Sequence, residues 1–503
     1  MTSIWLDRKG SFSPDPFQAG SAYDTVVAGA GLTGLVTALL LARSGQRVLV
    51  LEARYPGAVT TGNTTAKVSL LQGTVLSGLA RQYSAKQVQA YVDANREGQA
   101  WLLRYLQEQG VPFQPRDAYT YATTGDGLER LREELTAGTT AGLEIDYTGD
   151  AGLPFPVQGA LKLAGQAQIN PMDALDALMA DLRSRGGTIV GGVRLRDVSG
   201  NGPLTVRTDR GNITSNHVVL ATGIPVLDRG LYFTKLKPLR SYAAALELPA
   251  ELAPPPGMYL SAEEPTHSLR DYETDGRRYL LVGGHGHHVG RTASEKAHLD
   301  GLLDWAGTYF PGATATHTWS AQDYQATNLM PFFGTLPRGR GRILFGTGYN
   351  KWGMTNAVAA ALGISADILG GQLPWADTIH HRVTSPVGAL TAVKLNAQVA
   401  VKLASGWGKV AAEDRKAPRH AAAATPADGE GKVYRDGARP VAVSTVDGTT
   451  CRLSAVCTHL GGIVTWNDSE LTWDCPLHGS RFSSDGHLLE GPATKDLPRA
   501  DKG

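Results

Sequence analysis

The C-terminal part of the chain contains two short motifs that each combine a cysteine with a histidine. The first reads Cys457-Thr-His459-Leu-Gly-Gly, and the second reads Cys475-Pro-Leu-His478-Gly-Ser480. Two thiolates and two imidazoles fit a [2Fe–2S] cluster that has cysteines on one iron and histidines on the other. A zinc ion is the alternative, because two cysteines and two histidines also bind zinc. Zinc fingers group like residues together, whereas here each loop supplies one of each, so the order favours the cluster.

The N-terminal part of the chain has the order of elements that surrounds a dinucleotide-binding turn. A β-rich run over Tyr23–Ala28 leads directly into Gly29-Ala-Gly31-Leu-Thr-Gly34. A helical run over Leu35–Ala42 follows, and then a buried strand over Arg47–Leu51 that ends in Glu52. The glycine pattern alone is weak, but the two strands, the helix and the acid together predict a dinucleotide site.

Each glycine of this turn has a separate predicted role. Gly29 makes the tight turn, Gly31 allows the backbone to approach a pyrophosphate, and Gly34 allows the helix to pack closely on the strand. The helix N-terminus offers free N–H groups to the phosphates. Glu52 is placed to bind a pair of ribose hydroxyls. FAD and NAD share this pattern, so the turn does not decide between them.

Three later segments supply further small-residue turns. The first, Pro56–Lys67, is rich in small and hydroxylated residues, as expected where backbone runs against a flat ring system. The second, Val218–Gly223, reads as a strand that ends in a small-residue turn. The third, Ile343–Asn356, ends a strand and opens an Ala-rich helix. The N-terminus of that helix could stabilise negative charge on a reduced flavin.

In this order, the segments resemble the flavoprotein family of D-amino-acid, glycine and sarcosine oxidases. The whole chain looks like the bacterial branch of that family that carries a C-terminal Rieske domain. Trp319-Ser-Ala-Gln322-Asp323-Tyr324, Asn350–Thr355 and the opening Ser3-Ile-Trp5-Leu match that branch. The two Cys/His loops match the Rieske ligand loops, and Gly491-Pro492-Ala493 resembles the loop that covers the cluster.

The resemblance implies two cofactors, FAD and a Rieske-type [2Fe–2S] cluster. The expected cluster ligands are Cys457, His459, Cys475 and His478. No cysteine or histidine beside the glycine turn is placed to form a flavin link, so we expect the FAD to be non-covalent. The residues expected to bind FAD are Gly29, Gly31, Gly34, Glu52, Thr61, Thr64, Thr65, Lys67, Leu195, Thr222, Gly223, Gly348, Trp352, Gly353, Met354 and Thr355.

The expected architecture follows from the same comparison. An α/β, Rossmann-like FAD domain carries an inserted α+β substrate domain, and a small all-β Rieske domain follows it. We expect an N-terminal extension over 1–22 and an oxidoreductase domain over 23–385, with substrate-domain inserts near 84–168 and 225–330. A helical segment and linker over 386–430 then precede the Rieske domain at 431–503.

Composition excludes several classes of function. The net charge of +1 does not indicate the excess of basic residues that is typical of nucleic-acid-binding proteins. Three cysteines are too few for a disulfide framework, and two of them are predicted cluster ligands. The N-terminus does not have the basic and then apolar pattern of a signal sequence. We therefore expect a cytoplasmic protein with no membrane span and no nucleic-acid partner.

The function implied by the resemblance is oxidation of a C–N bond in a small amine or amino acid. FAD would take the hydride, and the cluster would pass electrons singly to a soluble carrier or O2. The alternatives are a reductase whose electrons enter through the cluster, and a redox sensor. Lys351, His287 and Gln322 are the candidate catalytic residues, with Arg240 and Tyr242 as further candidates for orienting the substrate.

Two details refine these expectations. The run Gly283-Gly-His285-Gly-His287-His288 is compatible with a metal site, a role near the flavin, or a plain loop. High-potential Rieske relatives have a disulfide where this chain has Gly462 and Leu477, and a tyrosine where it has Phe482. Fewer hydrogen bonds to the cluster sulfurs predict a potential below the respiratory type. His459 and His478 are expected at an exposed edge, as in those relatives.

Overall fold

The computed structural model describes residues 1–8, 12–274, 276–382, 385–413, 425–437 and 439–500. Most of the linker expected between 413 and 431 therefore lies outside the described residues. The helices are α1 Leu32–Arg43, α2 Val75–Ala80, α3 Ala85–Glu108, α4 Gly125–Thr140, α5 Pro171–Ser184, α6 Lys296–Tyr309, α7 Gly353–Leu369, α8 Pro374–His380 and α9 Pro386–Glu413.

The strands form four sheets. Those of the first two sheets are β1 Ala22–Ala28, β2 Val48–Leu51, β3 Lys67–Val68, β4 Phe113–Ala122, β5 Asp146–Thr148, β6 Gly159–Ile169, β7 Thr188–Val190, β8 Leu195–Ser199, β9 Leu204–Thr208, β10 Gly211–Leu220, β11 Leu236–Glu247, β12 Met258–Ser261, β13 His267–Thr274, β14 Arg277–His288, β15 Thr314–Ala326, β16 Phe332–Thr335 and β17 Ile343–Thr347. Those of the last two are β18 Gly431–Asp436, β19 Arg439–Val446, β20 Thr449–Ser454, β21 Thr465–Asn467, β22 Thr472–Asp474, β23 Arg481–Ser483 and β24 Leu488–Glu490.

The first sheet has the strand order β16-β17-β10-β1-β2-β7, and its central pairs are parallel. The short apolar run of β2 is buried on both faces, as expected for a central parallel strand covered by helices. Helix α1 begins directly after β1, and α7 begins shortly after β17. Both helix N-termini therefore lie at the carboxyl edge of the sheet, where ligands bind in open α/β folds.

The second sheet has nine strands, in the order β15-β11-β14-β13-β12-β4-β6-β3, with β5 paired to β6. Its long antiparallel strands β11, β14 and β15 are contributed by the segment between β10 and β17 of the first sheet. Helix α6 covers one face of β11 and β14, where Leu299, Leu302 and Ala306 enter an apolar core. An α/β layer and an inserted mixed layer are thus both present, which confirms the expected fold class.

The C-terminal part consists of two small antiparallel sheets, β18-β19-β20 and β21-β22-β23-β24. Helix α9 precedes them as one continuous 28-residue helix, at the start of the range where the sequence predicted a helical segment and linker. Leu395 and Val410 of α9 are buried, whereas much of its outer face is exposed.

No single helix of the described chain is long and apolar enough to cross a membrane. Helices α7 and α8 reach that length only as a pair bent by 95°, and most of α7 is buried in the protein core.

Candidate active site and redox centre

The glycine turn after β1 has little space for side chains. Gly29 has a φ of +107°, and a Cβ placed on it would lie 2.3 Å from the Ala221 carbonyl oxygen. A Cβ on Gly34 would lie 1.9 Å from the carbonyl oxygen of Gly29. Both contacts are with backbone, which cannot move aside without disturbing β1 and β10. The turn therefore requires glycine at these positions, as the sequence predicted.

Glu52 lies at the carboxyl end of β2 and lines the same pocket as the glycine turn. Its carboxylate accepts hydrogen bonds from the backbone N–H groups of Ala30 and Arg54, at 2.9 Å each. Burial raises the pKa of Glu52, while these two bonds and the guanidinium of Arg194 oppose that rise. Two donors leave further lone pairs on the carboxylate, so a pair of ribose hydroxyls could still be bound there.

One elongated pocket collects most of the residues expected to bind FAD. It runs from the glycine turn past the carboxyl ends of β2, β10 and β17 to the start of α7. No cysteine or histidine is among the residues that line it within the described chain. Eleven of the sixteen expected residues line the pocket, namely Gly29, Gly31, Glu52, Thr61, Thr64, Leu195, Thr222, Gly223, Gly348, Gly353 and Met354.

The other five expected residues are not among those that line the pocket. Gly34 packs inside the turn, as described above. The Lys67 ammonium donates to the Tyr259 carbonyl oxygen at 2.8 Å, within the second sheet. The Thr355 hydroxyl donates to Asn95 on α3 at 2.6 Å. Like Thr65 and Trp352, these residues are outside the set that lines the pocket.

Lys351 lies at one end of the pocket, just before α7, in a left-handed conformation with a φ of +67°. Its backbone N–H donates to the half-buried carboxylate of Asp323, which also lines the pocket. Burial raises the pKa of Asp323 to about 6, and the charge of Lys351 opposes that rise. Asp323 was not among the predicted site residues, although it belongs to the Trp-Ser-Ala-Gln-Asp-Tyr motif.

The Lys351 ammonium approaches the second sheet at Gly286 of β14. A Cβ placed on Gly286 would lie 2.9 Å from Lys351 Nζ and 3.0 Å from Ser241 Oγ. The Ser241 hydroxyl is buried and has no hydrogen-bond partner. The Lys351 ammonium and the Ser241 hydroxyl therefore lie against the position that a side chain on residue 286 would occupy.

His287 lies on the opposite face of the sheet from this point. Successive side chains of a strand alternate between its faces, and Gly286 faces Lys351. His287 instead contacts the Tyr242 hydroxyl at 3.1 Å and stacks on His298 of α6 with ring centroids 4.3 Å apart. Among the described residues, no group of three or more His, Cys, Asp or Glu side chains is arranged to hold a single metal ion. His285 and His287 of β14 thus form packing contacts with α6, at Gly301 and His298.

The two Cys/His loops face each other in the C-terminal part. The Cys457 and Cys475 thiols are hydrogen-bonded to each other, and this contact lowers the pKa of Cys457. Both loops are closed by backbone bonds, from Gly461 N to Cys457 O and from Gly479 N to Cys475 O. Ring centroids of His459 and His478 are 5.1 Å apart. All four predicted ligands therefore come together.

The two imidazoles each have a nitrogen available for a metal. His478 Nδ1 is buried without a hydrogen-bond partner, and burial lowers the pKa of His478 to about 3, which keeps the ring neutral. His459 Nε2 contacts the Asp228 carboxylate at 3.3 Å, which leaves its other nitrogen free. A carboxylate on the outer nitrogen is typical of a metal-ligating histidine. The donor set fits a [2Fe–2S] cluster, in which each iron takes only two protein ligands.

The position of these histidines corrects one expectation. We expected His459 and His478 at an exposed edge, but only 5% of the His459 side chain is exposed, and His478 is buried. Both rings pack against Phe233, with centroid distances of 5.0 and 4.8 Å. Phe233 and Asp228 come from the loop after β10, so the histidine edge faces the flavin-binding part of the chain. The sequence could not predict this, because it depends on how the two parts dock.

Gln322 and Arg240, two of the candidate active-site residues, lie in this docking interface. The Gln322 amide donates to the Gly479 carbonyl oxygen, between His478 and Ser480, at 2.8 Å. The Arg240 guanidinium is fully buried and pairs with Asp474, next to ligand Cys475, at 3.0 Å. Their side chains link β11 and β15 to the second ligand loop and do not face the pocket end at Lys351.

A dinucleotide pocket joined to a Cys/His cluster site defines the class of protein: a redox enzyme with two centres. Residues 24–366 match the family model described as FAD dependent oxidoreductase, and residues 416–501 match the Rieske [2Fe-2S] domain. The chain belongs to the FAD-dependent oxidoreductase family and carries a C-terminal Rieske domain, so its cofactors are FAD and a [2Fe–2S] cluster.

The similarity to a curated protein extends over nearly the whole chain. The putative Rieske 2Fe-2S iron-sulfur protein YhfW of Bacillus subtilis (strain 168) is 31% identical over 96% of this chain and 94% of its own length. Glycine oxidase from Geobacillus kaustophilus has a TM-score of 0.59 at 16% identity, over 70% of this chain and 96% of its own. L-proline dehydrogenase from P. horikoshii has a TM-score of 0.58 at 15% identity, over 71% and 95%. At these identities, the solved structures establish the fold alone.

Proposed function

We propose that this enzyme oxidises a C–N bond of a small amine or amino acid and passes the electrons singly through its Rieske cluster. Bound FAD accepts a hydride and can release two electrons in single steps, which a one-electron cluster can carry. The proposal is supported mainly by one observation: the ligand loops of the Rieske domain pack on the flavin-binding part, with both histidines against Phe233.

The pocket end at Lys351 suits a small zwitterionic substrate. The Lys351 ammonium, at that end of the pocket, can bind a carboxylate. Two structural relatives are named for amino acids, glycine and L-proline. Lys351 would orient the substrate, which contributes to rate by holding the reacting bond in position. Asp323, fixed by the Lys351 backbone, would hold the turn that carries the ammonium.

Anaerobic mixing of the holoenzyme with secondary amines and amino acids tests the proposal. We expect bleaching of the flavin absorbance, followed by loss of the oxidised cluster spectrum as single electrons move across the interface. Bleaching by NAD(P)H alone would instead support a reductase. If none of these donors reduces the flavin, the enzyme proposal is overturned and the redox sensor is the remaining alternative.

A further inference from the structure

The FAD pocket has one wall that comes from the Rieske domain. Leu489, Glu490, Gly491, Ala493 and Thr494 line the pocket together with the glycine turn and Glu52. They follow one another at the end of β24, and we call residues 489–494 the Rieske wall. Neither the glycine pattern nor the cluster motifs point to these residues as part of an FAD site.

The Rieske wall is fixed to the flavin-binding part by hydrogen bonds at both ends and in the middle. Arg194 donates to the Leu488 carbonyl oxygen at 2.7 Å, just before the wall. The Tyr324 hydroxyl donates to the Gly491 carbonyl oxygen at 3.2 Å. The Arg196 guanidinium donates to the Thr494 carbonyl oxygen at the far end. Tyr324 and Arg194 themselves line the pocket, so the same elements hold the wall and form the site.

The same segment also reaches the cluster site. The backbone N–H of Ala493 donates to Ser480 Oγ at 3.0 Å, and the Ser480 side chain is hydrogen-bonded to the Cys457 thiol. Ala493 is buried and lines the FAD pocket. The Rieske wall therefore contacts residues of the FAD pocket and residues of the cluster site.

We propose that the Rieske wall is an FAD-binding element, so that FAD binding and docking of the Rieske domain stabilise each other. Arg194, which donates to Leu488 and lines the pocket together with Glu52 and Leu195, places the start of the wall at the adenosine end of the pocket. A ligand that contacts both parts favours their docked arrangement, and by thermodynamic linkage docking raises the affinity for the ligand by the same factor. This inference does not depend on the substrate or on the direction of electron flow.

Hydrogen exchange on the full chain, with and without FAD, tests the contact directly. We expect FAD to slow exchange in residues 488–494, whereas β18 and β19, on the other sheet of the Rieske domain, keep the same rate. Iron and acid-labile sulfide contents must be equal in both samples, so that loss of the cluster cannot cause the difference. Unchanged exchange in 488–494 would overturn the proposal.

A variant of Arg196 tests the linkage from outside the pocket. Arg196→Glu places a carboxylate against the Thr494 carbonyl oxygen and is expected to raise the FAD dissociation constant at least about fivefold, as measured by flavin fluorescence. Arg207→Glu is the matched control, because Arg207 on the neighbouring strand β9 pairs only with exposed Asp197 among the contacts described. An Arg196→Glu affinity equal to that of the control would contradict mutual stabilisation.

Discussion

Lys351 lies in the turn just before α7, and the conformation of that turn sets the position of its ammonium group. Its ammonium lies near Gly286 and Ser241 at the end of the FAD pocket. Lys351→Met removes the charge and keeps much of the length, so substrates with a carboxylate should bind about ten- to a hundredfold more weakly. Amines without a carboxylate should bind nearly as before. The concentration dependence of anaerobic flavin reduction gives both values.

Arg340 serves as a control for Lys351. It also has a left-handed backbone, with a φ of +54°, but it lies on the exposed turn before β17. Arg340→Met should leave the binding of both substrate types unchanged. Equal weakening of acids and amines in Lys351→Met would mean that the residue only holds the turn.

Phe482 offers a test of how hydrogen bonds set the cluster potential. Phe482 is fully buried in β23, and Leu477 occupies the space beside Gly462, where a Cβ would lie 2.7 Å from it. Phe482→Tyr adds a hydroxyl in the place where high-potential relatives have one. If the added hydrogen bond stabilises the reduced cluster by about 1 kcal/mol, the change corresponds to roughly 40 mV for one electron. The reduction potential should therefore rise by about that amount.

A redox titration followed by EPR measures this shift. The wild-type potential should lie below the respiratory type, and equal iron and sulfide contents are required in both proteins. A lower potential in Phe482→Tyr, or a respiratory-type value in the wild type, would contradict the expected effect of the missing hydrogen bonds.

At the residue scale, the sequence predicted what depends on short stretches of chain. The glycine turn and the four cluster ligands act through spacing within one or two loops, so their pattern is visible without a fold. Asp323 and Ser241 could not be placed in this way, because their positions depend on the pairing of β11 with β14 and β15. The register shift between Arg240 and Tyr242 also decides which face His287 takes.

The contact between α6 and the second sheet contains four histidines, His267, His285, His287 and His298, which we call the histidine cluster. His267 Nε2 and His285 Nε2 are 3.2 Å apart, and His267 stacks on Trp305 at 4.2 Å. Burial lowers the pKa of His267 and of His287 to about 4. These rings are therefore neutral in the folded protein at neutral pH.

Acid should loosen this contact. A histidine whose pKa is lower in the folded state stabilises the fold above its unfolded pKa, near 6.5, and loses that contribution as the pH falls towards 4. The free energy of unfolding in urea should therefore decrease between pH 7 and pH 4.5. His267→Phe keeps the stacking on Trp305 and removes one titrating ring, so its decrease should be smaller.

Other groups in the protein also titrate in this range, so a second histidine variant is needed. His487→Asn serves, because 72% of the His487 side chain is exposed, in the loop before β24 and far in sequence from α6. It should retain the pH dependence of the wild type. If the unfolding free energy of His267→Phe falls with pH as steeply as that of His487→Asn, the histidine cluster is not the cause of the acid destabilisation.

At the scale of the whole molecule, sequence reasoning found both redox parts but not their mutual orientation. Motifs identify each site because each site is local. Docking depends on single side chains from distant segments, such as Arg240 with Asp474 and Gln322 with Gly479. None of these contacts forms a sequence motif. Together they orient the Rieske domain so that His459 and His478 face Phe233. The expected domain limits stay a prediction.

The buried pair of Arg240 and Asp474 gives the sharpest test of that orientation. Both side chains are fully buried, and Arg240 also contacts Glu470. Removing one partner of a buried ion pair costs about 3–5 kcal/mol where the other charge is left without compensation, and less where a second partner remains. Arg481 still contacts Asp474 and Glu470 within the Rieske domain, so Arg240→Met should weaken docking more than it weakens the Rieske fold.

Photoreduction of the flavin measures the consequence without any substrate. In Arg240→Met, the cluster should be reduced at least about tenfold more slowly than in the wild type, because the undocked state is populated and holds the cluster away from the flavin. Arg116→Met is the matched control, since Arg116 pairs with Asp271 within the flavin-binding part. Its cluster should be reduced at the wild-type rate, with equal FAD and iron contents in all three proteins. An unchanged rate of cluster reduction in Arg240→Met would mean that docking does not depend on this ion pair. The other contacts, at Gly479 and along the Rieske wall, would then hold the two centres together.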